Sequence, residues 1–338
     1  MLRDGAAGTS KSQIEDLIGE REINNNLNIK GKVEVANGMF IKNKYKSSVL
    51  DSYYKKAKEK YNSDIIYDDF ESPEIINKWV NQKTKGMIPK VFDGLSPNFA
   101  MALANVVAID TAWQYEYDCN ETVPKEFTKL DGTKKEVAMM HTAKGNGAKV
   151  FYGDNAKGLM IPYQAYDENG NSIEDVEKSL EFVAIHPNTD IKTYIDNLTV
   201  EDLKQTEVPG RLGSYIEIYL PKFEYDYSID DLSSSLKNLG VKDIFDNNAN
   251  FSNMIDAPVY VNSFVHKTHI SVNEKGTRAA ATSTADINVK GIIEEDNKIT
   301  FIFDQPFAYL IRDWRTKELL FFGVVNDPPE WDEENTCK

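Results

Sequence analysis

The chain has 338 residues, of which 41% are hydrophobic and 28% are charged, proportions that are ordinary for a globular protein with a sizeable core. The formal net charge of −15 argues against nucleic acid as a partner, because phosphate binding needs a basic surface. No apolar run approaches the roughly 18 residues of a membrane-spanning helix. The first 13 residues, MLRDGAAGTSKSQ, lack the apolar segment of a signal peptide.

The early part of the chain combines helical and strand patterns. Apolar periodicity and end signals predict helices over Ser10–Glu20, Ser48–Tyr61 and Ser72–Ile88, and strands over Lys32–Ile41 and Phe99–Ile109. The third helix is bracketed by Pro73 in its first turn and Gly86 after its last. The nearly continuous apolar run of the second strand predicts burial on both faces.

The later part of the chain is rich in strands. β-Branched and aromatic residues predict strands over Ser214–Tyr227, Pro258–Val272, Ile299–Asp313 and Lys317–Val325. Helices precede these strands without a βαβ alternation, so the sequence predicts an α+β fold with large sheets.

Motifs of enzyme chemistry are absent from the sequence. There is no GxSxG nucleophile motif, and four histidines offer little for a Ser-His-Asp site. His266 and His269 are three apart on a predicted strand, which puts them on opposite faces and disfavours a shared metal. The two cysteines, Cys119 and Cys337, are interpreted as free thiols. The chain is therefore predicted not to be an enzyme, and no cofactor or metal is predicted.

The stretch NEKGTRAAATSTADINVKG, residues 273–291, alternates with period two. From Thr277 onward one set of alternate residues is small or apolar and uncharged, whereas the other set is mostly polar. This pattern is typical of a strand with one buried face, although its inward residues are too small to anchor a core.

This stretch resembles the hinge of the reactive-centre loop of the serpins, a family of serine protease inhibitors. Further segments resemble serpin segments in the same order: residues 76–88 (INKWVNQKTKGMI), 103–113 (LANVVAIDTAW), 138–141 (AMMH), 219–223 (YLPKF), 236–254 (LKNLGVKDIFDNNANFSNM), 265–277 (VHKTHISVNEKGT) and 301–328 (FIFDQPFAYLIRDWRTKELLFFGVVNDP). The resemblance extends from about Leu2 to Pro328.

The resemblance implies a serpin fold: a large central mixed sheet, two further sheets, surrounding helices and an exposed reactive-centre loop. Residues 1–328 would form one serpin domain, followed by an acidic tail at 329–338. Residues 2–19 resemble the link into the third helix of the family, so the first helices are expected to be absent. The segment Arg21–Gly31 is short for the further helix that the family carries there.

In serpins a protease cuts the exposed loop, which then inserts as a new strand into the main sheet and traps the acyl-enzyme. Small inward residues suit this movement, because bulk or charge would be stopped by the packed interior. The resemblance assigns the loop hinge to Glu274, Gly276, Thr277, Arg278, Ala279, Ala280, Ala281 and Thr282.

Other residues take family roles through the same resemblance. Family spacing puts the reactive bond between Lys290 and Gly291, although a longer following segment leaves the register open. Trp113 matches the tryptophan where the loop enters the main sheet, and Lys222 and Glu274 match an ion pair beside that entry. Asn105 and His266 match a polar pair beneath the centre of the sheet, where strands must part.

The expected partner is a trypsin-like serine protease, because a lysine before the cut bond suits a pocket that holds a carboxylate. A cysteine protease is an alternative target. Nucleic acid, membrane and glycosaminoglycan partners are not expected. The protein is expected to be a monomer. The family suggests an extracellular or cell-surface location. Two alternatives stay open: a chain that proteases only cut, because the shortened fold inserts its loop poorly, and a non-inhibitory interaction or structural protein.

Overall fold

The computed structural model describes residues 1–19, 32–175, 179–203, 215–229, 231–262, 264–277 and 298–333. The helices are α1 (Leu2–Gly5), α2 (Gly8–Ile18), α3 (Asp51–Glu59), α4 (Glu74–Lys83), α5 (Ile191–Asp196), α6 (Val200–Leu203) and α7 (Ser233–Asn238). Short 3-10 helices lie at Asn43–Ser48, Cys119–Glu121, Gly145–Gly147 and Asp243–Phe245. None of the described helices is long and apolar enough to span a membrane.

The described strands are β1 (Val33–Lys42), β2 (Asp64–Asp68), β3 (Met101–Ile109), β4 (Thr111–Ala112), β5 (Val123–Thr128), β6 (Lys134–Thr142), β7 (Lys149–Tyr152), β8 (Ala156–Pro162), β9 (Ala165–Tyr166), β10 (Ser172–Ile173), β11 (Leu180–Pro187), β12 (Tyr215–Pro221), β13 (Phe223–Ile229), β14 (His266–Asn273), β15 (Gly276–Thr277), β16 (Lys298–Ile302), β17 (Phe307–Asp313) and β18 (Leu319–Val325).

The chain divides into two compact units. The first comprises Met1–Asn28, Val33–Ala108 and Asp226–His269, and the second comprises Ile29–Lys32, Ile109–Tyr225 and Ile270–Lys338.

The first unit holds α1 to α4, α7 and a three-stranded sheet in the order β2-β1-β3. Two apolar clusters form its core. One includes Met39, Ile41 and Tyr53, and the other centres on Phe40 and Trp79, whose rings meet edge to face at 5.4 Å. Successive β1 residues thus enter both clusters, because neighbouring side chains of a strand point to opposite faces.

The second unit is built mainly from sheets. A five-stranded sheet has the order β18-β17-β11-β8-β7, and a four-stranded sheet has the order β16-β12-β6-β5. In the five-stranded sheet β11 is buried along almost its whole length, because β17 and β8 flank it and α5 packs over the cluster that contains Val183 and Ile185.

A further four-stranded sheet has the order β13-β14-β15-β4. Within the second unit, the end of β14 pairs with β15, and β15 pairs with β4. Both pairings are antiparallel, so the two residues of β15 lie between the end of β14 and the equally short β4. This position is where the candidate site is built.

The sequence predicts α2 to α4, β1, β3 and the strands after residue 214, but not their ends, and it predicts none of the elements between Thr111 and Leu203. The predicted helix over Ser72–Ile88 is the shorter α4, with Pro73 at its N-cap and Gly86 in a left-handed conformation beyond its end (φ +81°). The prediction that the strand ending at Ile109 is buried on both faces is wrong for most of β3. That strand lies at the edge of its three-stranded sheet, and only its last residues are buried.

Three predicted strands are also too long. Ser214–Tyr227 contains two strands, β12 and β13, which belong to different sheets, and Ile299–Asp313 likewise contains β16 and β17. The breaks follow Pro221 and include Pro306, residues that cannot donate a backbone hydrogen bond to a ladder. Of the predicted strand Pro258–Val272, only the part from His266 onward is a strand.

Candidate loop-insertion site

The site lies where the end of β14 turns back into β15. Val272 pairs with Thr277 and Asn273 with Gly276, and the same two residues of β15 pair with Thr111 and Ala112 of β4. The turn between the strands is formed by Glu274 and Lys275. The first two residues of the predicted hinge strand are therefore already hydrogen-bonded into a sheet on both sides.

Gly276 is required at its position for two reasons. Its φ of +147° lies in the region that favours glycine, and a Cβ there would approach Thr111 O to 2.2 Å and Ala112 Cα to 2.7 Å. Both neighbouring atoms belong to the backbone of β4, so they cannot move aside as the end of a side chain can. The close packing of β15 against β4 depends on the missing side chain.

Thr277 points its side chain into the interior and is only 3% exposed. Its Oγ1 lies 2.5 Å from the hydroxyl oxygen of Tyr163, and either hydroxyl can donate. Tyr163 is 1% exposed, and its ring stacks on Trp113 with centroids 4.6 Å apart and planes 4° apart. Burial raises the pKa of Tyr163 above its ordinary value, with only partial opposition from the Thr277 hydrogen bond, so the phenol is neutral.

Glu274 anchors the turn through both carboxylate oxygens. Lys222 Nζ lies 3.1 Å from Glu274 Oε2, and Thr122 Oγ1 donates to Glu274 Oε1 at 2.8 Å. The Glu274 side chain is 7% exposed and the Lys222 side chain 19%, so this pair is screened less than an ion pair on the surface. The backbone N–H of Tyr117 also donates to Glu274 O at 2.9 Å.

Trp113 holds the same turn from the β4 side. Its backbone N–H donates to Lys275 O at 2.9 Å, and its indole Nε1 donates to Asn273 O at 2.8 Å. The ring is 2% exposed. Trp113 thus connects the turn after β14 with the Tyr163 ring that meets Thr277.

The strand β16, which begins at Lys298, is fastened to β12 by one carboxylate. The two strands pair in parallel, with Thr300 opposite Glu217. Glu217 Oε2 lies 3.0 Å from Lys298 Nζ and accepts a hydrogen bond from Thr300 Oγ1 at 3.1 Å. His141 Nε2 lies 3.3 Å from the other carboxylate oxygen. Burial acts to raise the pKa of Glu217, but hydrogen bonds from Lys298, His141 and Thr300 outweigh it and lower the pKa.

The structure brings five of the predicted site residues together, and two others do not form their predicted buried pair. Glu274, Gly276, Thr277, Trp113 and Lys222 meet around the turn. Asn105 and His266, predicted as a polar pair beneath a sheet, are both exposed, and Asn105 donates instead to Asn37 Oδ1 at 3.0 Å. The buried pair is therefore not formed, because Asn105 lies on an edge strand.

Several predicted residues lie outside the described residues: Arg278, Ala279, Ala280, Ala281, Thr282, Lys290 and Gly291. The interpretation of Cys119 as a free thiol is wrong, because Cys119 is disulfide-bonded. The other cysteine in the sequence, Cys337, lies beyond the described residues.

Three residues of the site were missed by sequence reasoning, namely Tyr163, Thr122 and Glu217. Each contacts a partner more than 80 residues away, so no local spacing could reveal it.

His269 lies on β14 as predicted, and its Nδ1 lies 2.8 Å from Asp226 Oδ1. Among the described residues, no group of three or more His, Cys, Asp or Glu side chains could hold a metal ion.

Comparison with known families and proteins agrees with this geometry. The family described as "Serpin (serine protease inhibitor)" matches residues 1–328. The chain belongs to the serpin family. Serpins are protease inhibitors and not enzymes, in agreement with the absence of enzyme motifs.

Individual serpins show how far the similarity extends. An uncharacterized serpin-like protein of Methanosarcina mazei is 28% identical, over 96% of this chain and 78% of its own. The leukocyte elastase inhibitor of Sus scrofa is 29% identical, over 88% of this chain and 78% of its own.

Among solved structures, the native state of the thermophilic serpin tengpin has a TM-score of 0.78 and 28% identity, with 96% of this chain and 84% of tengpin covered. Thyroxine-binding globulin in complex with thyroxine has a TM-score of 0.76 at 21% identity, which shows the shared fold alone. The serpin fold is thus established for this chain.

Proposed function

We propose that this serpin inhibits trypsin-like serine proteases as a suicide substrate, by inserting its cut reactive-centre loop into the sheet that contains β14 and β4. The observation that carries the proposal is the placement of Gly276 and Thr277 between those two strands. A loop that continues from β15 in the same register would extend two antiparallel ladders, one with β14 and one with the chain before β4.

The composition of the hinge supports the proposal. Thr277 is inward and buried in β15, so with strand periodicity the next inward residues are Ala279, Ala281 and Ser283. None of them carries a charge or a large side chain that would have to be buried during insertion. Each inserted residue contributes backbone hydrogen bonds. It also buries apolar surface, which stabilises the inserted state by about 25 cal/mol per Å².

The protease supplies the chemistry in this mechanism. Its nucleophile attacks the carbonyl carbon of the reactive bond, forms an acyl-enzyme with the residue before the bond, and releases the new amino terminus after it. Lys290 is the proposed acylating residue and Gly291 the new amino terminus, because the family spacing from Gly276 leads there. A lysine at this position fits a primary pocket with a carboxylate.

The experiment mixes the serpin with trypsin and follows the formation of complexes that resist SDS. The parent is expected to form a covalent complex, and mass spectrometry of the released fragment should show an amino terminus at Gly291. Thr277→Arg should be cut at the same bond without forming complexes, because insertion would bury an unpaired guanidinium against Tyr163. Thr277→Ser serves as the control that keeps the hydroxyl and the small size.

Three outcomes would contradict the proposal or part of it. A parent that is cut but forms no complex would be a substrate only. Complexes that form equally well with Thr277→Arg would mean that the loop does not act by insertion at this site. Cleavage mainly after Arg278 or Lys298 would move the reactive bond and remove the support for a trypsin-like target.

A further inference from the structure

Tyr163 offers a buried polar group to the loop at the point where insertion starts. Its hydroxyl is enclosed, its ring is 1% exposed, and the hydrogen-bond partner of that hydroxyl in the described structure is Thr277 Oγ1 at 2.5 Å. A buried hydroxyl without a partner is unfavourable, since it has given up its hydrogen bonds to water. Withdrawal of Thr277 would therefore leave the Tyr163 hydroxyl unpaired or in need of a water molecule.

The position of Tyr163 is fixed by contacts other than the hinge. Its backbone N–H donates to Leu180 O at 3.0 Å, and the next residue, Gln164, donates its N–H to Ala112 O at 2.9 Å. Tyr163 also forms an antiparallel bridge with Trp113, on which its ring stacks. The hydroxyl is thus held in place whether or not Thr277 occupies the site.

The two hydroxyls match each other in chemistry and in place. Each can donate and each can accept, so the pair needs no charge and no fixed direction of the proton. A threonine suits the position because its side chain is small enough to be buried there while its hydroxyl reaches the phenol. Gly276 brings the two together, since only a residue without a Cβ lets β15 approach β4 so closely.

We propose that Tyr163 is a positioning residue for loop insertion: its hydroxyl holds Thr277 in the sheet before the loop is cut. Thr277 is then the first inward residue of the inserted strand and is in place when cleavage occurs. Insertion starts from this residue, so the cut loop inserts faster. Faster insertion lets more of the acyl-enzyme be trapped before it is hydrolysed. The effect on inhibition rests on the proposed function, whereas the holding of Thr277 does not.

The test measures hydrogen–deuterium exchange of the backbone amides of Gly276 and Thr277. The variants are Tyr163→Phe, Thr277→Val, their double variant and Thr277→Ser. Tyr117→Phe is the matched control: Tyr117 is 4% exposed and lies edge-on to Trp113, but its buried hydroxyl has no hydrogen-bond partner among the described residues. It receives the same substitution without the loss of a described hydrogen bond.

Tyr163→Phe and Thr277→Val should each speed exchange about fivefold, the effect of one net hydrogen bond. The double variant should exchange no faster than the faster single variant, because both substitutions remove the same bond. Thr277→Ser and Tyr117→Phe should exchange like the parent. Parental exchange in Tyr163→Phe, or effects that multiply to about twenty-five-fold in the double variant, would overturn the inference.

A second readout separates this inference from the proposed function. The number of serpin molecules consumed per trypsin molecule inhibited should rise in Tyr163→Phe and Thr277→Val but not in Thr277→Ser. If the parent forms no complex while the exchange results hold, the proposed function fails and the inference stands. If the parent inhibits but exchange in Thr277→Val equals that of the parent, the inference fails alone. That variant keeps the shape of the side chain, so it does not depend on how well Tyr163→Phe folds.

Discussion

Three neighbouring residues, Glu274, Gly276 and Thr277, each perform a different task at the loop entry. Glu274 ties the turn to Lys222 and Thr122, Gly276 allows close contact with β4, and Thr277 fills the interior beside Tyr163. Their order along the chain follows from the geometry of the turn: the charged residue lies in the turn, where Lys222 and Thr122 reach it, and the hydroxyl enters the sheet.

Gly276→Ala should prevent β15 from lying against β4. The added Cβ would meet Thr111 O at 2.2 Å, and the φ of +147° is itself strained for alanine by about 1–3 kcal/mol. We expect at least a tenfold loss of SDS-resistant complex with trypsin, with cleavage of the loop retained.

The matched control is Gly94→Ala, since a Cβ at Gly94 meets no atom within 4 Å. That variant should form complexes like the parent. Equal complex formation by Gly276→Ala would contradict the role assigned to the close approach between β15 and β4.

At the scale of elements, the two strands on either side of residues 278–297 are held differently. β15 is two residues long and is inserted between β14 and β4, whereas β16 is five residues long and pairs with β12. Glu217 of β12 contacts both Lys298 and Thr300, so one partly buried carboxylate fastens the start of β16. This fastening gives the second strand a pH dependence.

Glu217→Gln should weaken the pairing of β16 with β12. Since the pKa of Glu217 is lowered in the folded protein, its ionised form contributes stability above the ordinary pKa of about 4.3, and this contribution is lost as the pH falls through the folded value. At pH 7 we expect the parent to be more stable by about 1–2 kcal/mol in denaturant unfolding. The difference should shrink below about pH 4.

The control for this prediction is Glu126→Gln on β5. Glu126 pairs with Lys134 at 2.7 Å, but both side chains are more than half exposed, so the substitution should have little effect at any pH. A Glu217→Gln variant whose stability equals that of the parent at pH 7 would contradict the fastening role.

At the scale of the whole molecule, the proposed function requires that the uncut chain is less stable than the cut one. β16 pairs with β12 in its own sheet, so the chain from Lys298 onward lies outside the sheet that contains β15.

Cleavage in the loop should therefore raise the melting temperature. An inserted strand that adds several kcal/mol to the free energy of unfolding would raise the melting temperature by about 10 °C. Each kcal/mol shifts the melting temperature by roughly 2–4 °C in a large single domain. The measurement compares thermal unfolding of the intact serpin and of the serpin cut by a limited amount of protease.

Thr277→Arg, cut in the same way, is the control for the melting experiment. Its melting temperature should change little, because its loop cannot insert. Equal melting temperatures for the intact and cut parent would contradict the storage of strain in this fold.

The sequence by itself determined the family and the α+β class, and it predicted the residues of the hinge. These features depend on local order: the alternation after Gly276, the residue types at fixed spacing, and family segments that follow one another from about Leu2 to Pro328. It also predicted the place of α4 and a strand through residues 266–272, because capping and periodicity act over a few residues.

Only the tertiary structure decided which side chains meet. Thr277 and Tyr163 are 114 residues apart in the chain, and Glu274 and Thr122 are 152 apart, so their contacts depend on how strands are ordered in sheets. The same ordering left Asn105 exposed on an edge strand and divided Ser214–Tyr227 between two sheets. Side-chain periodicity predicts which face of a strand is buried, but strand order determines which residues lie against that face.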